Sequence, residues 1–325
     1  MSETPNHRCR ICSSFLKDQI LSVSEKMFAL GKTFNYRECS TCGCVQIASY
    51  PENLASYYPM HYYSFGHKVS GRSLKLRMKT IRNHFTYHRK GLFGWGLSVL
   101  LPNHFLRILR NTKGVQPESS VLDVGCGYGE QLLALQLLGF NKLTGIDPNN
   151  QSDIYLGNGL HIFKKSLLEM QQKYDVVMMH HVLEHMSGQK QVFEQVHERL
   201  LPDGCFIIRI PLSDSFAREK YQSDWVQWDP PRHLYLHTRK SIESLCKQCG
   251  FQTETIVYDS NGMQFWGSEL YRRGLPLFDH FGQPAPLLKY FSIPKLIYYN
   301  RLALRLNRLQ QGDQAIFVMR KIKTV

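Results

Sequence analysis

The stretch VLDVGCGYGE, residues 121–130, decides the fold that we expect. An apolar run ends at Asp123, and three glycines then alternate with other residues before an apolar helical pattern begins. A glycine turn between a strand and a helix lets a ligand approach the backbone closely. In open α/β sheets such ligands bind beyond the carboxyl end of the first strand. The stretch therefore predicts a Rossmann-like α/β domain with a ligand site at this turn.

The residues around the glycines indicate the chemistry of the ligand. The glycine spacing is G-x-G-x-G, whereas a pyrophosphate-binding loop reads G-x-G-x-x-G. Asp123 and Glu130 place carboxylates on both sides of the turn. Two carboxylates suit a cationic ligand better than a diphosphate, because like charges repel. We therefore expect S-adenosylmethionine, which carries a sulfonium and an ammonium group.

The glycine stretch resembles the first motif of the class I S-adenosylmethionine-dependent methyltransferases, and TGIDPN (144–149) resembles their second motif. YDVVMMHHVLEHM (174–186) is similar to the fourth-strand motif of a subgroup that methylates small molecules, including quinone rings and deoxysugars. The resemblance implies that Asp147 accepts the ribose hydroxyls. It also implies an adenine contact near Ser166, although the family often has an acidic residue there. The implied cofactor site comprises Asp123, Gly125, Cys126, Gly127, Gly129, Asp147, Pro148, Ser166, Leu167 and His180.

Strand and helix patterns alternate from about residue 118 onward. SVLDVG, KLTGID, YDVVMMH and CFIIRIP read as strands, and GQKQVFEQVHERLLPDG reads as a helix that ends in a turn. Such alternation implies parallel strands joined by right-handed crossovers. Together with the resemblance, it predicts an α/β fold whose Rossmann-like, seven-stranded, mostly parallel sheet has helices on both faces. This domain is expected to span residues 116–325, with an insertion at about 260–312.

Residues 1–50 are expected to form a separate zinc-ribbon-like module, because they hold five of the nine cysteines. Two Cys-x2-Cys pairs supply the four thiolates that structural zinc prefers. The expected ligands are Cys9, Cys12, Cys39 and Cys42. A disulfide framework is disfavoured, since the N-terminal residues lack a secretory signal pattern. Four thiolates leave zinc no open position, so the module is expected to shape or cover the acceptor site.

Residues 51–115 are expected to be an aromatic and basic connector with lid helices. The segment 67–90 is rich in Lys and Arg and has no acidic residue, within a chain of formal charge +14. This bias favours an anionic partner, for which a phosphate-bearing sugar, nucleic acid and an acidic membrane surface are all options. The apolar segment 92–109 is short and interrupted by glycine. It is expected to pack on the next domain, to form a lid, or to lie in a membrane interface.

Histidines crowd the end of the fourth strand around Glu184. Methyl transfer to a hydroxyl needs aligned reactants and a base, for which histidine is suited. On a helix starting there, His181, Glu184 and His185 would share one face. They can form a base with an orienting carboxylate, a divalent-metal site such as that associated with some quinone O-methyltransferases, or a structural hydrogen-bond network. The candidate catalytic residues are His181, His233, Glu184 and His185.

The segment SDWVQWDPPRHLYLHT, residues 223–238, is the expected acceptor-recognition insertion. Trp225 offers a flat apolar surface, and Asp229 and Arg232 offer polar groups for a sugar or phosphate. The pattern resembles that of methyltransferases associated with bacterial sugar and surface-polysaccharide pathways. In the alternative interpretation, Asp229 and Arg232 form an internal ion pair that holds the loop.

These observations predict a methyltransferase that acts on a sugar, a nucleotide-linked sugar or a lipid-linked glycan. One alternative is an RNA or protein methyltransferase that uses the zinc module and the basic segment for binding. The other is a scaffold that has the fold without catalysis. The sequence contains no run of about 18 apolar residues, so we expect no membrane-spanning helix. We therefore expect a cytoplasmic monomer or weak homodimer with structural zinc, in which peripheral membrane contact remains an option.

Overall fold

The computed structural model describes residues 7–58, 74–157, 159–279 and 281–322. The chain divides into two compact units. Unit 1 lies within residues 1–62, 181–193 and 209–317, and unit 2 lies within 63–180, 194–208 and 318–325. The units interleave along the chain, and each is described by itself.

The secondary structure alternates as expected across the second half of the chain. The strands are β1 (Leu16–Ser24), β2 (Thr33–Cys39), β3 (Val45–Ile47), β4 (Ser120–Val124), β5 (Lys142–Ile146), β6 (Ile154–Tyr155), β7 (His161–Phe163), β8 (Tyr174–His180), β9 (Leu200–Pro211), β10 (Tyr235–Leu236), β11 (Phe251–Tyr258) and β12 (Gln314–Lys321). The helices are α1 (Leu74–His88), α2 (Leu92–Leu100), α3 (His104–Asn111), α4 (Glu130–Gln136), α5 (Gln189–Arg199), α6 (Phe216–Tyr221), α7 (Arg239–Gln248), α8 (Met263–Arg272), α9 (Leu287–Tyr290) and α10 (Ile293–Arg308).

Strand β4 is the centre of the sheet in unit 2. It pairs in parallel with β5 on one side and with β8 on the other, and β5 pairs in parallel with β7. Strand β6 pairs with β7 in the antiparallel direction. Parallel strands bring their carboxyl ends to one edge. The carboxyl ends of β4, β5 and β8 are therefore neighbours at that edge.

The sheet has eight strands in the order β11-β12-β9-β8-β4-β5-β7-β6, and β9 and β12 are divided between the two units. The expected α/β class with a mainly parallel sheet is confirmed, whereas the expected count of seven strands is wrong by one. The structure also corrects the helix expected to run into LLPDG. Helix α5 ends at Arg199, and β9 already begins at Leu200, whose side chain is fully buried.

Unit 1 contains a second, four-stranded sheet in the order β1-β2-β3-β10. Its three N-terminal strands form an antiparallel meander, in which β2 pairs with β1 and with β3. The short strand β10 adds to β3 through the pairs Tyr235 with Gln46 and Leu236 with Val45. The first fifty residues therefore share a sheet with residues far along the chain.

Helices α1 and α2 pack closely in unit 2. A Cβ atom at Gly94 would lie 2.6 Å from Cβ of Phe85, so this approach requires glycine. The opposite side of α2 presents large apolar side chains, with Leu92 89% and Trp95 57% exposed. In the described part of the chain no single helix has the length and apolarity to span a membrane; α2 and α3 pass that test only as a pair bent by 117°. Residues 67–73 of the basic segment lie outside the described residues.

Candidate active site

The glycine turn of unit 2 follows β4 and precedes α4. Gly125, Gly127 and Gly129 have φ angles of 68°, 52° and 78°, in the left-handed region that favours glycine. A Cβ atom at Gly129 would lie 2.6 Å from Cδ1 of Ile162, so a larger residue there would require the end of that side chain to shift. Backbone conformation therefore favours glycine at all three positions.

Asp147 holds this turn from the end of β5. One carboxylate oxygen accepts a hydrogen bond from the backbone N–H of Gly127 at 2.9 Å, and the other accepts one from the N–H of Asn149 at 2.9 Å. Each carboxylate oxygen has a further lone pair. Asp147 can therefore fix the turn and still accept hydrogen bonds from a ligand hydroxyl.

Asp123 is the second acid of this site and is buried. Burial, followed by the nearby charge of Asp147, raises the pKa of Asp123 well above its usual range. The charge of Asp147 thus opposes ionisation of the buried Asp123, and a cation near the two carboxylates would relieve the repulsion. Glu130, expected to flank the turn with Asp123, instead pairs with Lys79 on the exposed surface of α4.

The remaining residues of the predicted cofactor site differ in their surroundings. Cys126 lies in the turn, and a Cβ atom at Gly145 would lie 2.6 Å from its Sγ. Pro148 is exposed beside Asp147. Ser166 and Leu167 begin a short 3-10 turn, in which the Ser166 hydroxyl donates to Glu169 at 2.7 Å and Leu167 is buried. The ring of His180, at the end of β8, meets the ring of Phe105 edge-on, with their centroids 4.4 Å apart.

Asn150 belongs to this site, although the sequence reasoning passed over it. It is buried, and its side-chain amide donates to the backbone carbonyl of Gly127 at 3.0 Å. Asn150 thus bonds to the carbonyl of Gly127, and Asp147 bonds to the N–H of the same residue. The available signal was a polar amide at the position directly after the second motif.

In unit 1, the chain after β8 forms a compact cluster of histidines around Glu184. His181 has a positive φ of 55°, which is uncommon outside glycine, and its N–H donates to the carbonyl of Arg209 at 2.9 Å. Its Nδ1 lies 3.2 Å from Oε1 of Glu184. The His181 side chain is 32% exposed, whereas that of Glu184 is 1% exposed. This is the geometry of an accessible imidazole oriented by a buried carboxylate.

The helix expected to carry these residues is absent. A 3-10 turn spans Leu183–His185, and the left-handed backbone of His181 stops any helix from including it. Glu184 and His181 nevertheless meet, because the chain turns between them and brings Nδ1 within 3.2 Å of Oε1.

The cluster sets the charge state of two of its members. Burial alone would raise the pKa of Glu184, but the hydrogen bond from His181 and the charges of the surrounding histidines outweigh it and lower that pKa to about 2. Burial, helped by the charge of His233, lowers the pKa of His185 to about 4. At neutral pH, Glu184 is ionised and His185 is neutral.

Comparison with known proteins gives this arrangement a family context. The model of a family described as "Methyltransferase domain" matches residues 101–256. Residues 101–256 therefore resemble a methyltransferase domain. That range holds the glycine turn, Asp147 and the histidine cluster, so the expectation of a class I methyltransferase enzyme is confirmed for this part of the chain. The predicted limits of the zinc module, connector and catalytic domain remain predictions.

Among curated proteins, the ribosomal protein L11 methyltransferase of Staphylococcus epidermidis is 22% identical over 165 residues, which are 48% of this chain and 45% of the relative. The chain thus spans about half the length of the curated relative it matches.

Among solved structures, a mycolic acid cyclopropane synthase complexed with S-adenosylhomocysteine and CTAB is 15% identical, covers 84% of this chain and 99% of its own, and gives a TM-score of 0.46. The 1,6-didemethyltoxoflavin-N1-methyltransferase of Burkholderia thailandensis is 15% identical, covers 79% and 94%, and gives a TM-score of 0.40. Likeness at this level does not identify a substrate.

Within the methyltransferase domain, the expected acceptor-binding residues lie in the interior of unit 1. Arg232 is fully buried, and its guanidinium donates to Asp229 at 2.9 Å, to Glu25 at 2.5 Å and to the carbonyl of Tyr57 at 2.8 Å. The indole of the buried Trp225 donates to Asp313 at 3.1 Å. These contacts fit the alternative in which Asp229 and Arg232 hold the loop. Glu25, the second acid, gave no local signal in the sequence.

The four predicted zinc ligands outside the methyltransferase domain come together in unit 1. Cys9 and Cys42 have their sulfurs 3.7 Å apart, and Cys12 and Cys39 have theirs 3.4 Å apart. The four sulfurs lie within 4.8 Å of one another. Zn–S bonds of about 2.3 Å in a tetrahedron place sulfurs roughly 3.8 Å apart, so the set fits zinc. Cys44 stands apart, with its sulfur 4.0 Å from Nδ1 of His237.

Proposed function

We propose that the chain transfers a methyl group from S-adenosylmethionine to a small-molecule acceptor of the sugar, nucleotide-linked sugar or lipid-linked glycan class. The observation that carries this proposal is the glycine turn, held by Asp147 beside the buried Asp123, inside the methyltransferase domain. S-adenosylmethionine matches its chemistry, since the ligand brings cationic groups to two carboxylates and ribose hydroxyls to Asp147.

The cofactor residues have separate roles in this proposal. The bare backbone of the glycine turn admits the ligand closely, and Asp147 accepts hydrogen bonds from the ribose. Asp123 offsets the positive charge of the ligand. The adenine contact is assigned to the turn at Ser166 and Leu167, where the Ser166 hydroxyl also donates to Glu169.

His181 is the base that we assign for an acceptor hydroxyl. It is the exposed partner of the pair with Glu184, and it directly follows His180, the last residue of β8. Glu184 orients the ring and stabilises the imidazolium that forms when His181 takes the proton. His185 and His233 are more enclosed and hydrogen-bonded to backbone carbonyls, so the proposal gives them no proton transfer.

The basic charge of the chain supports an anionic acceptor. The exposed apolar side of α2 supports, within that class, an acceptor held at a membrane surface. Leu92, Phe93, Trp95, Val99 and Leu100 are all exposed there, and Arg89 and Lys90 precede them as exposed cations. Apolar and aromatic side chains next to cations are typical of helices that lie in the interface of an anionic bilayer. A lipid-linked glycan combines both features.

Zinc at the four cysteines is part of this proposal. The sulfur distances support it, and four thiolate ligands make the site structural. Because the cysteine strands share a sheet with β10, the metal would fix the segment that follows Arg232 and His233.

A protein acceptor is the second candidate, and the curated relative that methylates a ribosomal protein favours it. The deciding experiment first titrates the purified protein with S-adenosylmethionine and S-adenosylhomocysteine by calorimetry. It then measures transfer of labelled methyl to nucleotide sugars, lipid-linked glycans and ribosomal protein. Binding with transfer to a glycan supports the proposal, whereas transfer only to protein establishes the second candidate. Absence of cofactor binding would leave a scaffold without catalysis.

A further inference from the structure

Three metal-ligand side chains converge in unit 1 from two separate segments. Glu184 and His185 belong to the turn after β8, and His233 lies near β10. Each offers one ligand atom, and the three atoms lie within 4.8 Å of one another. Glu184 is fully buried and His233 is 5% exposed, so water has little access to solvate them.

Hydrogen bonds fix which nitrogen of each imidazole is available. Nδ1 of His185 lies 2.9 Å from the carbonyl of Arg232, and Nδ1 of His233 lies 2.8 Å from the carbonyl of Gln227. A carbonyl only accepts, so Nδ1 carries the proton in both rings. Nε2 is then the lone-pair nitrogen in each neutral ring. Backbone carbonyls commonly orient histidine metal ligands in this way.

Glu184 contributes the third acceptor. Its Oε1 faces Nδ1 of His181, whereas its buried Oε2 has no hydrogen-bond partner among the described residues. A buried carboxylate oxygen without a partner is costly. A cation bound by one atom of each of the three residues would supply the partner that Oε2 of Glu184 lacks within the described part of the chain.

We propose that Glu184, His185 and His233 bind a divalent transition-metal ion. Two imidazoles and one carboxylate are the ligand types suited to iron, manganese, cobalt or zinc. His181, which sequence spacing had placed in such a set, stays outside it and hydrogen-bonds the other oxygen of Glu184. Metal binding here does not depend on the proposed methyl transfer, and the buried ion would hold Glu184 in position behind His181.

The competing explanation is a proton. Oδ2 of Asp229 lies 3.9 Å from Nε2 of His233, so a protonated His233 would face Asp229 as well as Glu184. The additional N–H of that imidazolium would then donate to Glu184 in place of the bound metal. Metal analysis separates the two explanations.

The experiment titrates the metal-free protein with Co²⁺ and measures both bound equivalents and absorption. Wild type is expected to bind two equivalents, of which one shows thiolate-to-cobalt charge transfer from the cysteine site. Glu184→Gln and His233→Asn should each lose the equivalent that lacks charge transfer, while His181→Gln keeps it. Cys12→Ser should lose the other equivalent.

A wild-type protein that binds cobalt only with thiolate charge transfer would overturn the proposal and establish the proton. So would a Glu184→Gln variant that keeps both equivalents. Circular dichroism and binding of S-adenosylhomocysteine by each variant show whether it is folded, and His233→Asn provides an independent variant if Glu184→Gln is not. Cofactor binding is a separate readout, so failure of the metal proposal leaves the proposed function standing, and the reverse also holds.

Discussion

The carboxylate of Asp147 accepts a hydrogen bond from the backbone N–H of Gly127 at 2.9 Å. Asp147 directly follows β5, and Gly127 lies in the turn after the neighbouring parallel strand β4. The two motifs that suggested the cofactor are thus joined directly. The residue that binds the ribose in our proposal also sets the shape of the turn that admits the ligand.

Replacing Asp147 is therefore expected to weaken cofactor binding strongly. Asp147→Asn removes the charge that accepts hydrogen bonds, and bonds to charged groups contribute about 1.5–3 kcal/mol each. We expect the Kd for S-adenosylhomocysteine, measured by calorimetry, to rise roughly 10-fold to 100-fold. Glu118→Gln, an exposed change before β4, should leave the Kd unchanged. An unaltered Kd in Asp147→Asn would contradict the cofactor assignment.

His181→Gln is expected to impair turnover without affecting cofactor binding. Loss of a general base costs roughly 10²-fold to 10⁴-fold in rate. The measurement is kcat with an acceptor that wild type methylates, beside the Kd for S-adenosylhomocysteine. His84→Gln changes an exposed histidine and should keep both values. Wild-type kcat in His181→Gln would show that this imidazole is not the base.

The folded protein is expected to lose stability in mild acid because of His237. It is buried in unit 1, and burial lowers its pKa to about 4. The unfolded chain, with a histidine pKa of about 6.5, binds the proton first as pH falls. The folded state therefore loses stability as pH drops from about 6.5 toward 4, by on the order of 1–2 kcal/mol between pH 7 and 5.

The check is urea unfolding at pH 7 and pH 5 for wild type and His237→Gln. The variant loses some stability at both values, because contacts of Nδ1 with Ser241 and of Nε2 with Gln189 are changed. Its stability should nevertheless depend less on pH than that of wild type. Equal pH dependence in the two proteins would mean that His237 titrates normally in the folded state.

The buried ion-pair cluster at Arg232 is expected to dominate the stability of its loop. Arg232→Ala leaves Glu25 and Asp229 as uncompensated buried charges, and breaking such a cluster costs about 3–5 kcal/mol. Arg239→Ala breaks the exposed pair with Glu243 and should cost less than about 1 kcal/mol. Free energies of unfolding in urea measure both. Similar values for the two variants would mean that the Arg232 cluster contributes little.

The apolar side of α2 predicts binding to anionic membranes. Wild-type protein should co-sediment with phosphatidylglycerol vesicles. Most of this binding should be lost when Phe93 and Trp95 are both changed to serine. Leu168→Ser, at another exposed apolar residue, should sediment like wild type. Neutral phosphatidylcholine vesicles should bind less protein, because the cations next to α2 then have no partner. Failure of wild type to sediment would remove the support for a lipid-linked acceptor.

The sequence predicted the features whose residues are close together in the chain. The strand pattern YDVVMMH gave β8 with the observed limits, because a continuous apolar run specifies a buried strand locally. The glycine turn was equally visible, since its spacing and its following helix fit one short motif. Both rest on interactions within about ten residues.

Features that join distant segments were not predictable from local patterns. Glu25 meets Arg232 across a separation of 207 residues, and nothing in the run around Glu25 distinguishes it from an exposed acid. His233 joins Glu184 and His185 only through the fold, so spacing alone selected His181 instead. The positive φ of His181 likewise depends on tertiary context, because its N–H bonds to Arg209.

The pairing of β3 with β10 has a consequence for how the chain is made. Residues 45–47 leave the ribosome long before residues 235–236, and synthesis at about 5–20 residues per second separates them by roughly 10–40 s. During that time the first three strands have an unpaired edge, and such edges are prone to wrong associations. Early capture of a metal by the four N-terminal cysteines would keep the nascent segment compact until its last strand is synthesised.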